Sequence, residues 1–281
     1  MTVDILLAVA LTAASAVQQG AEAPSVRNGR VLPRQVSGSL AASIAGVSGT
    51  AEAPVWIGWS VPSSARDDAS GWYGGCRLEP GGERGPAAAG AQVAYLEPSR
   101  SLAVFVRVSG AQVDRVRSFS MACPVDAGGR TVYWLAGVGP AESARWLAGR
   151  ASAAAERRLA DGALAALAMH AAPEALDVLL TAARTGGTPH LRGQALFWLA
   201  QRAGQQAAGA ITDAIARDPD TDVKKRAVFA LSQLPADEGV PKLIEVARAH
   251  SNPAVRKQAF FWLGQSKDPR ALAFFKDVLS R

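Results

Sequence analysis

Histidine is the side chain best suited to proton transfer and metal binding near neutral pH, and this chain holds three, His170, His190 and His250. None has a second ligand or an acid at the spacing of a known motif, so neither a metalloprotease helix nor a histidine-based triad can be written from them. No Gly-x-Ser-x-Gly turn occurs, and Gly81-Gly82-Glu83-Arg84-Gly85 lacks the Lys-Ser/Thr that lets a glycine-rich loop hold phosphate. Asp67-Asp68 is a carboxylate pair, but Ala69-Ser70-Gly71 after it offers too few oxygens at alternate positions for calcium. The chain therefore reads as a non-enzyme, with no catalytic residue, no metal and no cofactor expected.

Two cysteines, Cys76 and Cys123, are the remaining reactive groups. In an oxidising compartment an even pair most simply forms one disulfide. Closing that loop would stabilise the fold by about 4 kcal/mol on the chain-entropy estimate, less any strain. In a reducing cytosol the same residues are two free thiols. A zinc site is not expected, because two distant cysteines with no nearby histidine do not make a ligand set.

Binding chemistry recurs at a fixed interval. Arg192, Lys224 and Arg256 are 32 residues apart, and Lys225 and Lys257 repeat the spacing. Lined up on neighbouring helices about 10 Å apart, such cations would form a stripe for an anion or an acidic partner. They would otherwise be a solvated face. Phe197, Phe229 and Phe261 follow the same interval, with Trp198 and Trp262 beside two of them. These rings are expected in the core between repeats, each contributing roughly 1.5 to 3 kcal/mol.

The element that carries both ladders is a helical repeat. Leu191, Ala195 and Leu199 recur four apart, as do Val223, Ala227 and Leu231, and Val255, Ala259 and Leu263, which places each trio on one helical stripe. Thr188, Asp220 and Asn252 stand where a first helical turn needs a side-chain acceptor, with Pro189 and Pro253 next. A second apolar-periodic stretch follows each turn: Ala208 and Ile211, then Val240, Leu243, Ile244 and Ala247, then Ala271, Phe274, Phe275 and Val278. One interval earlier, Leu159, Ala163, Leu167, Leu176 and Leu179 give a weaker fourth copy with Glu156 at its cap, as a terminal capping unit should look.

This helix-turn-helix unit, with its Asp-Pro and Asn-Pro punctuation and its Val255-Arg256-Lys257-Gln258-Ala259-Phe260-Phe261-Trp262-Leu263 type of first helix, resembles bacterial HEAT-like repeats of the short, phycobilisome-lyase-related kind. The resemblance covers residues 141–281 and implies an all-α solenoid of about four repeats. It also implies that first helices form the convex side and second helices the concave, binding side. That places partner binding on Asp213, Arg217, Lys242, Glu245, Arg248, Lys276 and Asp277. A chromophore-lyase activity would rest on the family name alone, and no residue here carries such chemistry.

Residues 38–140 change from helical period to short apolar runs of strand length: 55–61, 92–96, 102–108, 113–119 and 131–135. Leu40 to Val47 has the length of one helix, and Ser109-Gly110 suggests a hairpin. The expectation is a small α+β domain with an antiparallel sheet, pinned by Cys76 and Cys123. Trp72-Tyr73, in a glycine-flanked loop, would cover that sheet or form an exposed recognition tip.

Residues 5–13 are an apolar stretch of signal-peptide length, and Ala14-Ser15-Ala16 is a small-x-small cleavage pattern, although Met1 to Asp4 holds no Lys or Arg. Residues 1–16 are expected to be a leader, with cleavage after Ala23 as the alternative site; an apolar N-terminal helix of a cytosolic protein is the rival. Residues 17–37 read as a linker. No transmembrane segment is expected after cleavage.

Residues 1–140 carry 11 Arg, no Lys and 10 acidic residues, a net +1. Of the whole chain's 30 basic and 24 acidic residues this leaves 19 and 14, a net +5, for residues 141–281. Such a balance allows an acidic protein, nucleic acid or anionic lipid as partner and selects none. The expected whole is an α+β N-terminal domain followed by an all-α HEAT-like α-solenoid, working as a bacterial periplasmic or secreted scaffold that binds a protein partner. Export would keep it from nucleic acid. The alternative is a cytosolic nucleic-acid or anion binder using Arg192, Lys224, Lys225, Arg256 and Lys257.

Overall fold

The structure is a computed structural model and describes residues 23–51, 53–64, 76–79, 100–153, 157–202 and 204–280. The expected leader (1–16), the predicted strand 92–96, Trp72-Tyr73, Asp67-Asp68 and Glu156 lie outside these residues.

Two strands, β1 (Val26–Arg27) and β2 (Arg30–Gln35), open the described chain, so residues 26–35 are not the linker that their composition suggested. Among the described residues β2 pairs along one side only, with β8 (Thr131–Ala136). An edge strand is held by backbone bonds and needs no apolar alternation, and it tolerates proline at a position such as Pro33. That is why Arg30, Pro33 and Arg34 hid it.

Helix α1 (Leu40–Ser48) begins at Ser39, whose hydroxyl accepts from the Ala42 amide at 3.1 Å. Glu142 from a later helix accepts the Leu40 amide at 2.6 Å, placing a carboxylate where the helix dipole favours it. Leu40, Ile44 and Val47 are buried on one stripe.

The main sheet adds β3 (Val55–Pro62), β5 (Ser101–Ser109) and β6 (Gln112–Ser120) in the order β2-β8-β3-β5-β6. The expected antiparallel arrangement holds for β3-β5 and β5-β6, whereas β8 runs parallel to both β2 and β3. The sheet is therefore mixed: β2, α1 and β3 make a crossover that leaves room for one strand, and β8 fills it. The β5-β6 hairpin turns at Gly110 with φ 60°, between paired Ser109 and Gln112.

Both faces of the sheet are covered, which is why β3 and β5 read as unbroken apolar runs. Val55, Ile57, Trp59 and Val61 join the core shared with the helices. Trp56, Phe105, Val132 and Trp134 pack on the other face with Leu78, Val125 and Ala127. Gly58 lies between Phe105 and Trp134, where a Cβ would come within 2.8 Å of both rings. A three-stranded parallel ribbon, β1-β7-β4 with β4 at Cys76–Arg77 and β7 at Val125–Asp126, covers this second face. Cys76 and Cys123 are joined by a disulfide with Cα atoms 6.3 Å apart. Glu79 adds to the fastening: it accepts from Trp56 Nε1 at 3.1 Å and from Arg107 at 2.8 Å, while Arg107 also grips Asp114 through two bonds of 2.8 and 2.9 Å.

Nine further helices follow among the described residues: α2 (Pro140–Ala153), α3 (Arg157–Met169), α4 (Pro173–Thr185), α5 (Pro189–Arg202), α6 (Gly204–Arg217), α7 (Thr221–Ser232), α8 (Ala236–Ala249), α9 (Pro253–Gln265) and α10 (Pro269–Leu279). After α2 they fall into four pairs at the expected interval. The first helices of the last three pairs start as predicted. The Leu191 amide donates to Thr188 at 3.2 Å, the Asp222 and Val223 amides to Asp220 at 2.8 and 3.1 Å, and the Ala254 amide to Asn252 at 2.9 Å.

The sheet and the array do not have separate cores. One apolar cluster runs from Ile57 and Val104 through Leu147, Leu164 and Leu199 to Leu263 and Phe274. Trp59 Nε1 donates to buried Ser143 on α2 at 2.9 Å, and Gly162 on α3 lies directly against the Val116 carbonyl of β6. The edge strand β6 is thus covered by a helix, which removes it as a site of uncontrolled pairing.

Candidate binding interface

The cation ladder has a structural destination. Arg192, Lys224 and Arg256 share one repeat position, and each reaches back to the C-terminal end of the preceding second helix. Arg192 donates to Gly186 O at 2.9 Å, Lys224 to Ala216 O at 2.9 Å, and Arg256 to His250 O at 2.6 Å and Ser251 O at 3.0 Å. A cation there satisfies carbonyls that the helix leaves unpaired and meets the negative end of its dipole.

Arg192 is committed further. Its guanidinium holds Asp218 through bonds of 2.7 and 3.0 Å, and the two side chains are only 12% and 5% exposed. Burial alone would push the Asp218 carboxyl up, but the Arg192 hydrogen bonds and the Asp220 amide outweigh it and hold it below the usual range. Lys225 pairs with Asp222 at 2.7 Å on the surface. Of the five residues in the expected anion stripe, only Lys257 makes no hydrogen bond or ion pair among the described residues. The stripe differs from the expectation because the sequence shows a cation's position but not the carbonyl that takes its charge.

The aromatic ladder divides. Trp198 and Trp262 pack against the core as expected, whereas Phe197 and Phe229 are half-buried and Phe261 is 53% exposed, so the phenylalanine row lies on the outward face of the first helices. Phe197 and Phe229 are 6.1 Å apart with planes 7° from parallel, and Phe229 meets Trp262 at 4.9 Å. Packed helix axes are about 8 to 10 Å apart, so these outward side chains converge. The first helices also pack more closely along their row than the second helices do along theirs.

A row of glutamines and one further cation share this face. Gln201, Gln233 and Gln265 stand four residues after the phenylalanines, hence on the same stripe, and all three are exposed. Arg226 crosses from α7 over Gly193 of α5, so that a Cβ at Gly193 would meet its stem. The spacing of the glutamines was legible; which way their stripe faced was not.

The second-helix residues expected to bind a partner are mostly exposed. Arg217 lies 3.9 Å from Asp213 within α6, and Arg248 pairs with Asp277 at 3.0 Å, tying α8 to α10, while stacking over Phe274 at 5.4 Å. Glu245 and Lys276 are exposed and Lys242 is half-buried. A cleft of about 380 Å³ lies between the ends of α4 and α6, lined by Arg184, Asp213, Arg217 and the Arg192–Asp218 pair. The structure brings Asp213, Arg217 and Arg192 together there and leaves the other second-helix residues apart from them.

The histidines serve the frame. His250 Nδ1 accepts the Asn252 amide at 3.0 Å, which makes Nε2 the donor to Ile215 O at 3.0 Å. His170 repeats half of this: Nδ1 accepts the Ala172 amide at 3.1 Å, but buried Nε2 has no partner among the described residues. Burial first, then nearby Arg202, holds His170 down at about 4. His190 Nε2 meets Asp161 of α3 at 2.7 Å, an acid that no sequence spacing pointed to. Among the described residues no group of three or more His, Cys, Asp or Glu is placed to hold a metal ion, and no helix is long and apolar enough to cross a membrane.

A family model agrees with the repeat geometry: the family described as HEAT repeats matches residues 208–281. No curated protein matches the chain in sequence. Among solved structures, the chain is similar to human deoxyhypusine hydroxylase in complex with glycerol, at 18% identity and TM-score 0.36, over 48% of this chain and 43% of that one. It thus spans less than half of the hydroxylase. It is also similar to the complex of CpcE and CpcF of phycocyanin lyase from a Nostoc species, at 18% identity and TM-score 0.39, over 50% of this chain and 89% of that one.

Proposed function

We propose that this chain, a HEAT-like repeat array packed on a mixed sheet, is an exported, non-catalytic scaffold that binds a protein partner through the array. The observation that carries this reading is the shared core. Because Trp59–Ser143 and Gly162–Val116 contacts join sheet and repeats, the array is held at one end and presents its helix faces from a fixed base. Repeat arrays of this kind bind along extended surfaces. Export is supported by the Cys76–Cys123 disulfide, a bond that persists in oxidising compartments. A bacterial periplasm is the compartment this reading favours.

An anion- or nucleic-acid-binding role is less favoured, since Arg192, Lys224 and Arg256 already bond helix carbonyls and Lys225 bonds Asp222. In-cell crosslinking of the full chain in its host, followed by mass spectrometry and reconstitution with the purified candidate, tests the scaffold. One protein bound outside the cytosol supports it. A crosslinked species destroyed by nuclease, or mature protein that retains residues 1–16 in the cytosol, overturns it.

A further inference from the structure

The first-helix face carries more than the scaffold reading asks of it. In the first repeat, Gly162 of α3 sits at the position occupied by Gln194, Arg226 and Gln258 in the next three, and there the face docks an extended segment of the chain itself, strand β6. On α5, α7 and α9 the same face is open among the described residues. It presents Phe197, Phe229 and Phe261 as a row with Trp262 beside them, exposed glutamines on one side, and Arg226 and Lys257 on the other.

Each row has a use for an extended peptide. Side-chain amides both donate and accept, as a peptide backbone requires at each residue, and Gln201 and Gln265 make no hydrogen bond among the described residues. Aromatic rings offer a large apolar contact at low entropic cost. Arg226 and Lys257 are exposed and make no ion pair among the described residues, so they supply a positive rim for acidic side chains. Two cations neutralise few phosphates, and nucleic-acid affinity grows with the number neutralised.

We propose that the exposed first-helix face of α5, α7 and α9 is a groove for an extended, acidic segment of a partner protein, continuing the surface on which α3 already holds β6. This rests on the scaffold reading and names its surface and its ligand class.

The test uses the full chain and a displayed library of random 12-residue peptides. Enriched peptides should be acidic with interspersed apolar residues and should not bind a chain bearing Phe229→Ser. Because Phe229 is half-buried, a second variant guards against misfolding: Phe261→Ser, at a ring 53% exposed, should keep the melting temperature and weaken binding about tenfold. Arg226→Gln with Lys257→Gln should also weaken it and flatten its salt dependence. Two results overturn the groove while leaving the scaffold standing: unchanged affinity in these variants, or loss of binding only when Lys242, Glu245 and Lys276 are replaced. Selection of neutral or basic peptides overturns it as well. Tight binding of a labelled oligothymidine with no peptide enriched overturns groove and scaffold together.

Discussion

Replacing Arg192 by Met separates a frame-holding cation from a ligand-binding one. Met keeps the bulk of the side chain and removes the charge, leaving Asp218, at 5% side-chain exposure, with the Asp220 amide at 2.9 Å and the more distant charge of Lys224. Breaking a buried pair by removing one member costs about 3 to 5 kcal/mol, because the remaining charge is left without compensation. The lost bond to Gly186 O adds to this at the end of α4. With a urea m-value of about 2.5 kcal/mol per M, the midpoint followed by circular dichroism should fall by about 1.2 to 2 M. The double variant Arg192→Met with Asp218→Leu removes both charges and should recover most of the loss, since apolar replacement of a buried pair is often near neutral. Asp218 should also change its pH response. Held low in the native protein, it contributes stability above its unfolded value near 3.8, and this is lost as pH falls. In the single variant the part that Arg192 supplies is gone. A midpoint shift below about 0.4 M, or a double variant no more stable than the single one, would refute the staple and return Arg192 to the pool of free cations.

Three more outcomes are expected. His170 is held at about 4 against an ordinary 6.5, so the unfolded chain takes up a proton first; stability should fall by about 3 kcal/mol as pH drops from 6.5 to 4. In His170→Asn, whose amide oxygen can still accept the Ala172 amide, that slope should vanish, and an unchanged slope in a melting series would show that other groups cause it. Thiol labelling of unreduced, denatured protein should find no free cysteine, and reduction should lower stability by about 4 kcal/mol; two labelled thiols in protein from its own host would contradict the proposed export. Ala227, fully buried between repeats, should lose several kcal/mol on change to Asp, whereas Lys257→Gln should stay within about 0.5 kcal/mol in the same denaturation assay. Arg256→Gln, which loses two carbonyl bonds, should fall between them at about 1.5 to 3 kcal/mol.

What the sequence determined by itself is the local order. The interval of 32, the apolar trios and the caps at Thr188, Asp220 and Asn252 define each first helix, because capping and helical period depend on neighbours within one turn. The runs 55–61, 102–108 and 113–119 likewise appear as strands, and two cysteines allow only one intramolecular bond. Tertiary structure decided everything that depends on which distant surface a face meets. β8 enters between β2 and β3 because a crossover leaves space there, and no pattern within residues 131–136 records that neighbour. β2 escaped notice because an edge strand needs its backbone more than its side chains. The phenylalanine row was legible as a stripe, yet whether a stripe turns inward or outward depends on the curvature of the whole stack. Arg192 and Lys224 show the same limit: their positions were readable, but the carboxylate and carbonyl that take their charge lie 26 and 8 residues away, brought close only by helices packing at an angle fixed by the core beneath them.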